Sequence, residues 1–367
     1  MTETTQAAPA LKEIFDRARL KHFAAETKAV WPAFDDKRFL ALATQGLDDL
    51  GIMQRMRLAA EAFGATLPQD FGKAVDILTQ LAPRIRHGFA SITLSEYVAL
   101  YGQENFDRSM KALKLFTTHG SAEFAIRHFL AADFDRTLRV MRGWAEDGNE
   151  HVRRLASEGS RPRLPWSLQL KNLIADPSPT LPILERLKAD DSPYVRKSVA
   201  NHLNDIGKDH PDVLVDTVSR WDRADPRTSW IVRHALRTLV KKGDARALAL
   251  LGASDGAEIR VERFAVAPAR VRLGDRVTIE AAIASTGDAG QRLVVDYAIH
   301  YVKKLGTTSR KVFKLKEVSL PPGGSAKLSI SQVIRDFTTR THQPGHHKVE
   351  LLVNGRTLAE SGFEIVA

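Results

Sequence analysis

The apolar residues of this chain change their period once, near residue 255, and that change limits what each part can fold into. Before it they recur at helical spacing. Phe71, Val75, Leu78 and Leu81 make one stripe, and Leu181, Leu184 and Leu187 another. Gly and Pro sit mainly between the stripes, where helices stop. After Ala257 the period is two. Val277, Ile279, Ala281 and Ile283 alternate with polar residues, as do Leu293, Val295, Tyr297, Ile299 and Tyr301. Further alternating runs cover 312–318, 326–334 and 347–353, with turn clusters at 285–288, 321–324 and 343–345. Asn354-Gly355 lies between two runs and reads as a type I′ hairpin turn. About seven short strands in this space point to an immunoglobulin-like sandwich. The expected architecture is a helical domain over 1–254 and a β-sandwich over 257–367, linked through 251–256.

A chain of 367 residues exceeds one ordinary core and suggests two or three domains. Its 43% apolar and 27% charged residues are those of a folded, soluble protein. No run of eighteen apolar residues occurs, which excludes a transmembrane helix. Residues 1–10 lack the basic-then-apolar order of a signal peptide, so a cytoplasmic protein is expected. The absence of cysteine excludes disulfides, thiolate metal sites and a cysteine nucleophile. The balance of 54 Lys+Arg against 44 Asp+Glu, net +10, favours a polyanionic partner, nucleic acid before membrane surface. Each part carries +5, so the shorter sandwich is the more densely charged.

A local pattern recurs in the helical part. His151-Val152-Arg153-Arg154-Leu155-Ala156 is echoed by Tyr194-Val195-Arg196-Lys197-Ser198-Val199-Ala200 and by Ile231-Val232-Arg233-His234-Ala235-Leu236. The positions of Val152, Val195 and Val232 are 43 and then 37 apart, the spacing of HEAT-class helical hairpins. Two copies follow turn-forming residues, Asp147-Gly148 and Asp191-Ser192-Pro193, and so begin helices. Stacked copies would align Arg153, Arg196 and Arg233 along one basic surface suited to a curved polyanion. The competing reading is an ordinary solvated Arg on each helix, or an Arg–Asp staple between repeats.

The densest stretch runs Val152-Arg153-Arg154-Leu155-Ala156-Ser157-Glu158-Gly159-Ser160-Arg161-Pro162-Arg163-Leu164-Pro165-Trp166. A repeat helix ends there in a carboxylate and a Gly, followed by an Arg-Pro-Arg loop carrying a Trp. This run resembles the AlkC branch of the HEAT-like DNA alkylation repair glycosylases, relatives of the AlkD branch. The resemblance takes in Ser121-Ala122-Glu123-Phe124-Ala125-Ile126-Arg127, the Val195 repeat and Asn204-Asp205. Some AlkC-type proteins also carry a C-terminal immunoglobulin-like domain. The resemblance implies excision of cationic methylated bases, N3-methyladenine and N3-methylcytosine, from duplex DNA, without a deep base pocket. Carried over by residue, it implies active-site carboxylates at Glu123 and Glu158, with Asp205 a third acidic candidate. It implies an aromatic partner at Trp166 and no cofactor. AlkD-type enzymes use an Asp and two Trp, whereas Glu holds the main positions here. A second aromatic wall from Trp221 or Trp230 stays open.

These residue types suit the chemistry. Methylation at N3 makes the base cationic and a good leaving group, and positive charge then grows on the sugar. A fixed carboxylate stabilises that charge and can deprotonate the attacking water. An indole face attracts the same cation. Arg154, Arg161 and Arg163 flank the site as expected phosphate contacts, joined by Arg196 and Arg233 from the repeats. In the sandwich, Lys303-Lys304 with Arg310-Lys311, and Arg335, Arg340, His346 and His347, form two basic clusters that could clamp a duplex. His342, His346 and His347 do not read as a metal site, because adjacent residues on a strand face opposite ways. The expected partner is duplex DNA bearing an alkylated base, and a monomer suffices. The competing function is a non-catalytic HEAT scaffold binding nucleic acid or an acidic protein. The acids discriminate, because carboxylates in a groove repel phosphate and give a pure polyanion binder nothing.

Overall fold

The computed structural model describes residues 10–254, 256–337 and 341–366. Arg340 of the second basic cluster, and residues 1–9 at the start, lie outside the described residues. The chain forms two compact units, one of residues up to 209 with 222–231, the other of 210–221 with 232 onward. Among the described residues, no helix is long and apolar enough to cross a membrane.

The first unit is a HEAT-like stack of helices. Short polar side chains start many of them. Asp16, Asp35, Asp70, Asp133 and Asn149 each accept a backbone N–H from the first turn that follows. The stripe at 71–81 becomes the helix Phe71–Leu81, with Val75, Leu78 and Leu81 buried. The three repeat copies become the helices Glu150–Gly159, Pro193–Asp209 and Pro226–Ala235. Small residues let the first two of these approach. Ser198 Oγ donates to Ser157 Oγ at 3.0 Å, and His202 Nδ1 lies 2.9 Å from the Ser157 carbonyl oxygen.

The second unit holds an immunoglobulin-like sandwich. Its strands are β1 (Ile259–Ala267), β2 (Arg270–Val271), β3 (Arg276–Ser285), β4 (Gln291–Val302), β5 (Thr308–Leu320), β6 (Ser325–Val333), β7 (Gly345–Val353) and β8 (Arg356–Ile365). One sheet has the order β1-β3-β6 and the other β2-β8-β7-β4-β5. All pairs are antiparallel except β2 with β8. The alternating residues point into the core: Val277, Ile279, Ala281 and Ile283 face Leu293, Val295, Tyr297, Ile299 and Tyr301. Asn354 and Gly355 both take positive φ, as a type I′ turn demands, and close the β7–β8 hairpin. β4 is buried on both faces for most of its length. Helical residues of the same unit reach this sheet: Arg233 bonds Glu317, and Gly243 packs on Gly355.

Candidate active site

Glu123, Glu158 and Asp205 come from three different segments of the first unit, and two arginines join them. Glu123 lies in the turn before the helix Ile126–Ala132. Ser121 Oγ and Arg154 Nη1 donate to its Oε2 at 2.7 and 2.6 Å. Arg154 Nη2 lies 3.8 Å from Glu158 Oε1, which also accepts from Arg161 Nη1 at 2.6 Å. Arg161 then reaches Asp205 Oδ2, through Nε at 2.8 Å and Nη2 at 2.7 Å. Lys208 Nζ donates to Asp205 Oδ1 at 2.7 Å. The result is an alternating ladder, Glu123–Arg154–Glu158–Arg161–Asp205–Lys208. Glu158, Arg161 and Asp205 are buried. Burial works against the charge of Arg154 and of Arg161, but the flanking carboxylates outweigh it and hold both guanidinium groups above their ordinary pKa. The ladder leaves Glu123 Oε1 and Glu158 Oε2 without a hydrogen bond from the described residues.

The helix Glu150–Gly159 sets Glu158 one residue before its end. Gly159 is required there, since a Cβ would lie 2.5 Å from Ile126 Cγ2. The loop that follows carries Trp166, 61% exposed and in the left-handed backbone region at φ 66°. That conformation is costly for a bulky residue and persists only where neighbours enforce it. The indole edge meets Phe89, ring centroids 6.3 Å apart.

Arg127 ties together the two sides of this loop. It is fully buried, and its guanidinium donates to the carbonyls of Gly159 (3.0 Å), Arg161 (2.6 Å) and Leu168 (2.8 and 2.6 Å). Burial, and then Arg161, lower its pKa to about 10, so it remains a cation at neutral pH. Sequence reasoning assigned it no role. The signal was there, since a lone Arg sits between Phe124-Ala125-Ile126 and Phe129-Leu130 in an apolar run. His202 was missed too. It is fully buried against Ser157, and burial lowers its pKa to about 3, leaving it neutral.

The other arginines expected at phosphates have partners within the protein. Arg163 forks onto Asp209 at 2.7 and 2.8 Å. Arg153 and Arg196 fold back on their own helix starts. Arg153 donates to the carbonyls of Asp147 and Gly148, and Arg196 to those of Asp190 and Asp191, the same offsets in both repeats. Arg153 also forks onto Asp190, an Arg–Asp staple between repeats. Arg233 breaks the pattern and bonds Glu317 in the second unit. The physical reason is local, because a guanidinium near a helix start finds carbonyls of the preceding turn within reach. Trp221 is a core residue and Trp230 is exposed. In the sandwich, Arg310 bonds Glu350, His346 is exposed, and His347 is buried beneath Tyr301 with His342.

A helical stack with clustered carboxylates and an exposed Trp, followed by an immunoglobulin-like sandwich, defines a class, and comparison with known proteins gives the same one. Residues 93–239 match the DNA alkylation repair enzyme family, and residues 260–367 match the C-terminal Ig-like domain of the YhaZ proteins. The chain belongs to the DNA alkylation repair enzymes that carry this Ig-like domain. It is similar to the uncharacterised protein YhaZ of Bacillus subtilis (strain 168), with 39% identity over 97% of this chain and 99% of that one. It is also similar to the alkylpurine DNA glycosylase AlkC of Pseudomonas fluorescens, solved bound to DNA containing an abasic site analog. There the identity is 54%, the TM-score 0.95, and the coverage 98% of this chain and 100% of that chain.

Proposed function

We propose that this protein is a DNA glycosylase that releases cationic N3-methylated bases, 3-methylcytosine and 3-methyladenine, from duplex DNA by hydrolysis. The observation that carries the reading is the ladder of three carboxylates held by half-buried Arg154 and buried Arg161, beside a loop with an exposed Trp. The arginines orient the acids, and the unbonded oxygens of Glu123 and Glu158 remain to act on a sugar and a water. In the proposed reaction the C1′–N bond breaks and its electron pair goes to the cationic base, which leaves neutral. Positive charge on the sugar is stabilised by Glu158. Water adds its oxygen to C1′, and its proton passes to Glu158 or Glu123 and then to solvent. Trp166 stacks on the cationic base or sugar. Asp205 holds Arg161 against Glu158. Arg163, at the surface with Asp209, exchanges that partner for a phosphate. A monomer in the cytoplasm suffices.

The test is base release from duplex DNA bearing one 3-methylcytosine, and from methylated bulk DNA, with freed bases identified by mass spectrometry. Glu158→Gln is expected to lower the release rate by about 10²–10³-fold, the loss typical of one preorganised electrostatic group. Its DNA affinity stays equal or rises, because an acid leaves the groove. No release by the wild type, with salt-dependent DNA binding intact, would replace this reading with a non-catalytic scaffold.

A further inference from the structure

Arg154 pairs with both Glu123 and Glu158, so whatever holds its plane sets how the two acids are shared. Its guanidinium carbon lies 4.6 Å from the centroid of the Tyr194 ring, within cation–π range. We propose that Tyr194 is a positioning residue of the active site, holding Arg154 between Glu123 and Glu158 by stacking. The proposal rests on the glycosylase reading for its effect on rate, and on geometry alone for its effect on the carboxylates.

Tyr194 is well fixed for this task. It lies in the first turn of the helix Pro193–Asp209, where Pro193 presets the backbone and Ser192 Oγ accepts the Tyr194 N–H at 3.2 Å. Ser192 is itself tied to Glu150 of the preceding repeat helix. The ring meets His151 edge-on, centroids 5.5 Å apart. His151 and Tyr194 occupy the same repeat position, immediately before Val152 and Val195, so the ring is gripped by the repeat before it. Such an origin leaves little room for the ring to swing. No hydrogen bond of the Tyr194 hydroxyl occurs among the described residues, so the aromatic face, rather than the hydroxyl, is the active feature. The charged and titratable groups around it are Arg154, Glu123, Glu158, Glu150 and His151.

The consequence is geometric. A guanidinium 2.6 Å from Glu123 Oε2 and 3.8 Å from Glu158 Oε1 fixes how each acid presents its other oxygen. Without the ring, Arg154 gains rotational freedom and spends less time between them. Both carboxylates then lose that fixed orientation.

The experiment compares Tyr194→Phe with Tyr194→Leu in the full chain. Tyr194→Phe keeps the ring and is expected to match wild type. Tyr194→Leu is expected to lower kcat about three- to thirtyfold, the range a cation–π contact supports, with KM unchanged. In parallel, ¹⁵Nε NMR of the Arg154 guanidinium reads its ordering without any turnover, and faster motion is expected in Tyr194→Leu. Thermal melting separates loss of fold from loss of position. The proposal is overturned if Tyr194→Leu matches wild type, or if Tyr194→Phe falls as far as Tyr194→Leu. It is also overturned if the Arg154 guanidinium stays as ordered in Tyr194→Leu as in wild type. If the wild type releases no base, the glycosylase reading has failed, and the ordering of the Arg154 guanidinium still decides the role of Tyr194.

Discussion

Arg127 shows how much of this site is decided by a single buried side chain. Three backbone carbonyls of the loop 159–168 point at it within 3.0 Å, and no carboxylate pairs with it directly. A buried cation is costly unless its hydrogen bonds are satisfied, and here the loop backbone satisfies them. The bond runs both ways, since the same contacts satisfy buried carbonyls of the loop. Lys has one charged nitrogen where Arg has a planar fork, and cannot serve carbonyls on both sides of the loop. Arg127→Lys is therefore expected to destabilise the protein by about 3 kcal/mol, the cost of stranding one or two buried carbonyls. Base release falls with it, because the loop that carries Trp166 loses the ties between its two sides. Urea unfolding and release assays on the same preparation check this. Wild-type stability in the Lys variant would show that the carbonyls find water instead.

At the scale of elements, the helix Glu150–Gly159 is the part whose end must be accurate to a fraction of an ångström. Gly159 has ordinary helical backbone, so its need is spatial. A methyl group there meets the β-branched Ile126 at 2.5 Å and Met141 Cε at 3.2 Å. Gly159→Ala is expected to cost about 1–3 kcal/mol of stability, as overpacking does, and to displace Glu158 with a fall in base release. Gly143, in the helix Phe134–Trp144, is the control, because nothing lies within 4 Å of a Cβ placed there. Gly143→Ala should leave stability equal or raise it by up to about 1 kcal/mol. Equal melting temperatures for the two variants would sink the spatial account. Helix starts and the alternating strands were legible in the sequence because both follow from period and turn chemistry, as at Asn354-Gly355. β1 was harder to read, because a bulge between Val261 and Arg263 breaks its alternation. The acids of the site were legible only through a whole motif. Their arginine partners read as surface cations, since sequence does not show that Arg154 and Arg161 turn inward between repeats. The carbonyl contacts of Arg153 and Arg196 were equally hidden, because they depend on the path of the preceding turn.

Across the molecule, the net charge of +10 conceals strongly opposed local balances, and these govern how stability responds to pH. In the second unit, Glu317 and Glu350 are pulled down to about 2. Burial alone would raise them, but Lys314 and Arg233 outweigh it at Glu317, and Arg310 and His300 at Glu350. Such groups bind protons more weakly in the folded than in the unfolded chain. Their contribution is present above about pH 4.5 and is lost as pH falls toward 2. Asp296, on β4, behaves oppositely. Burial raises it to about 6, and the cations Lys241 and Lys314 only partly offset that. The unfolded chain releases this proton near pH 4, while the folded chain keeps it to about 6. Stability from this group is therefore full below about pH 4 and lost as pH rises through about 6, a penalty of about 2–3 kcal/mol at neutral pH. Asp296→Asn keeps the shape and removes the titration. It is expected to be more stable than wild type at pH 7.5, about equal at pH 4, and flatter between the two. Urea unfolding of the full chain, followed by circular dichroism from pH 4 to 8, measures the difference directly. Parallel profiles for the two proteins would mean that water or a nearby cation already satisfies the Asp296 carboxylate in the fold.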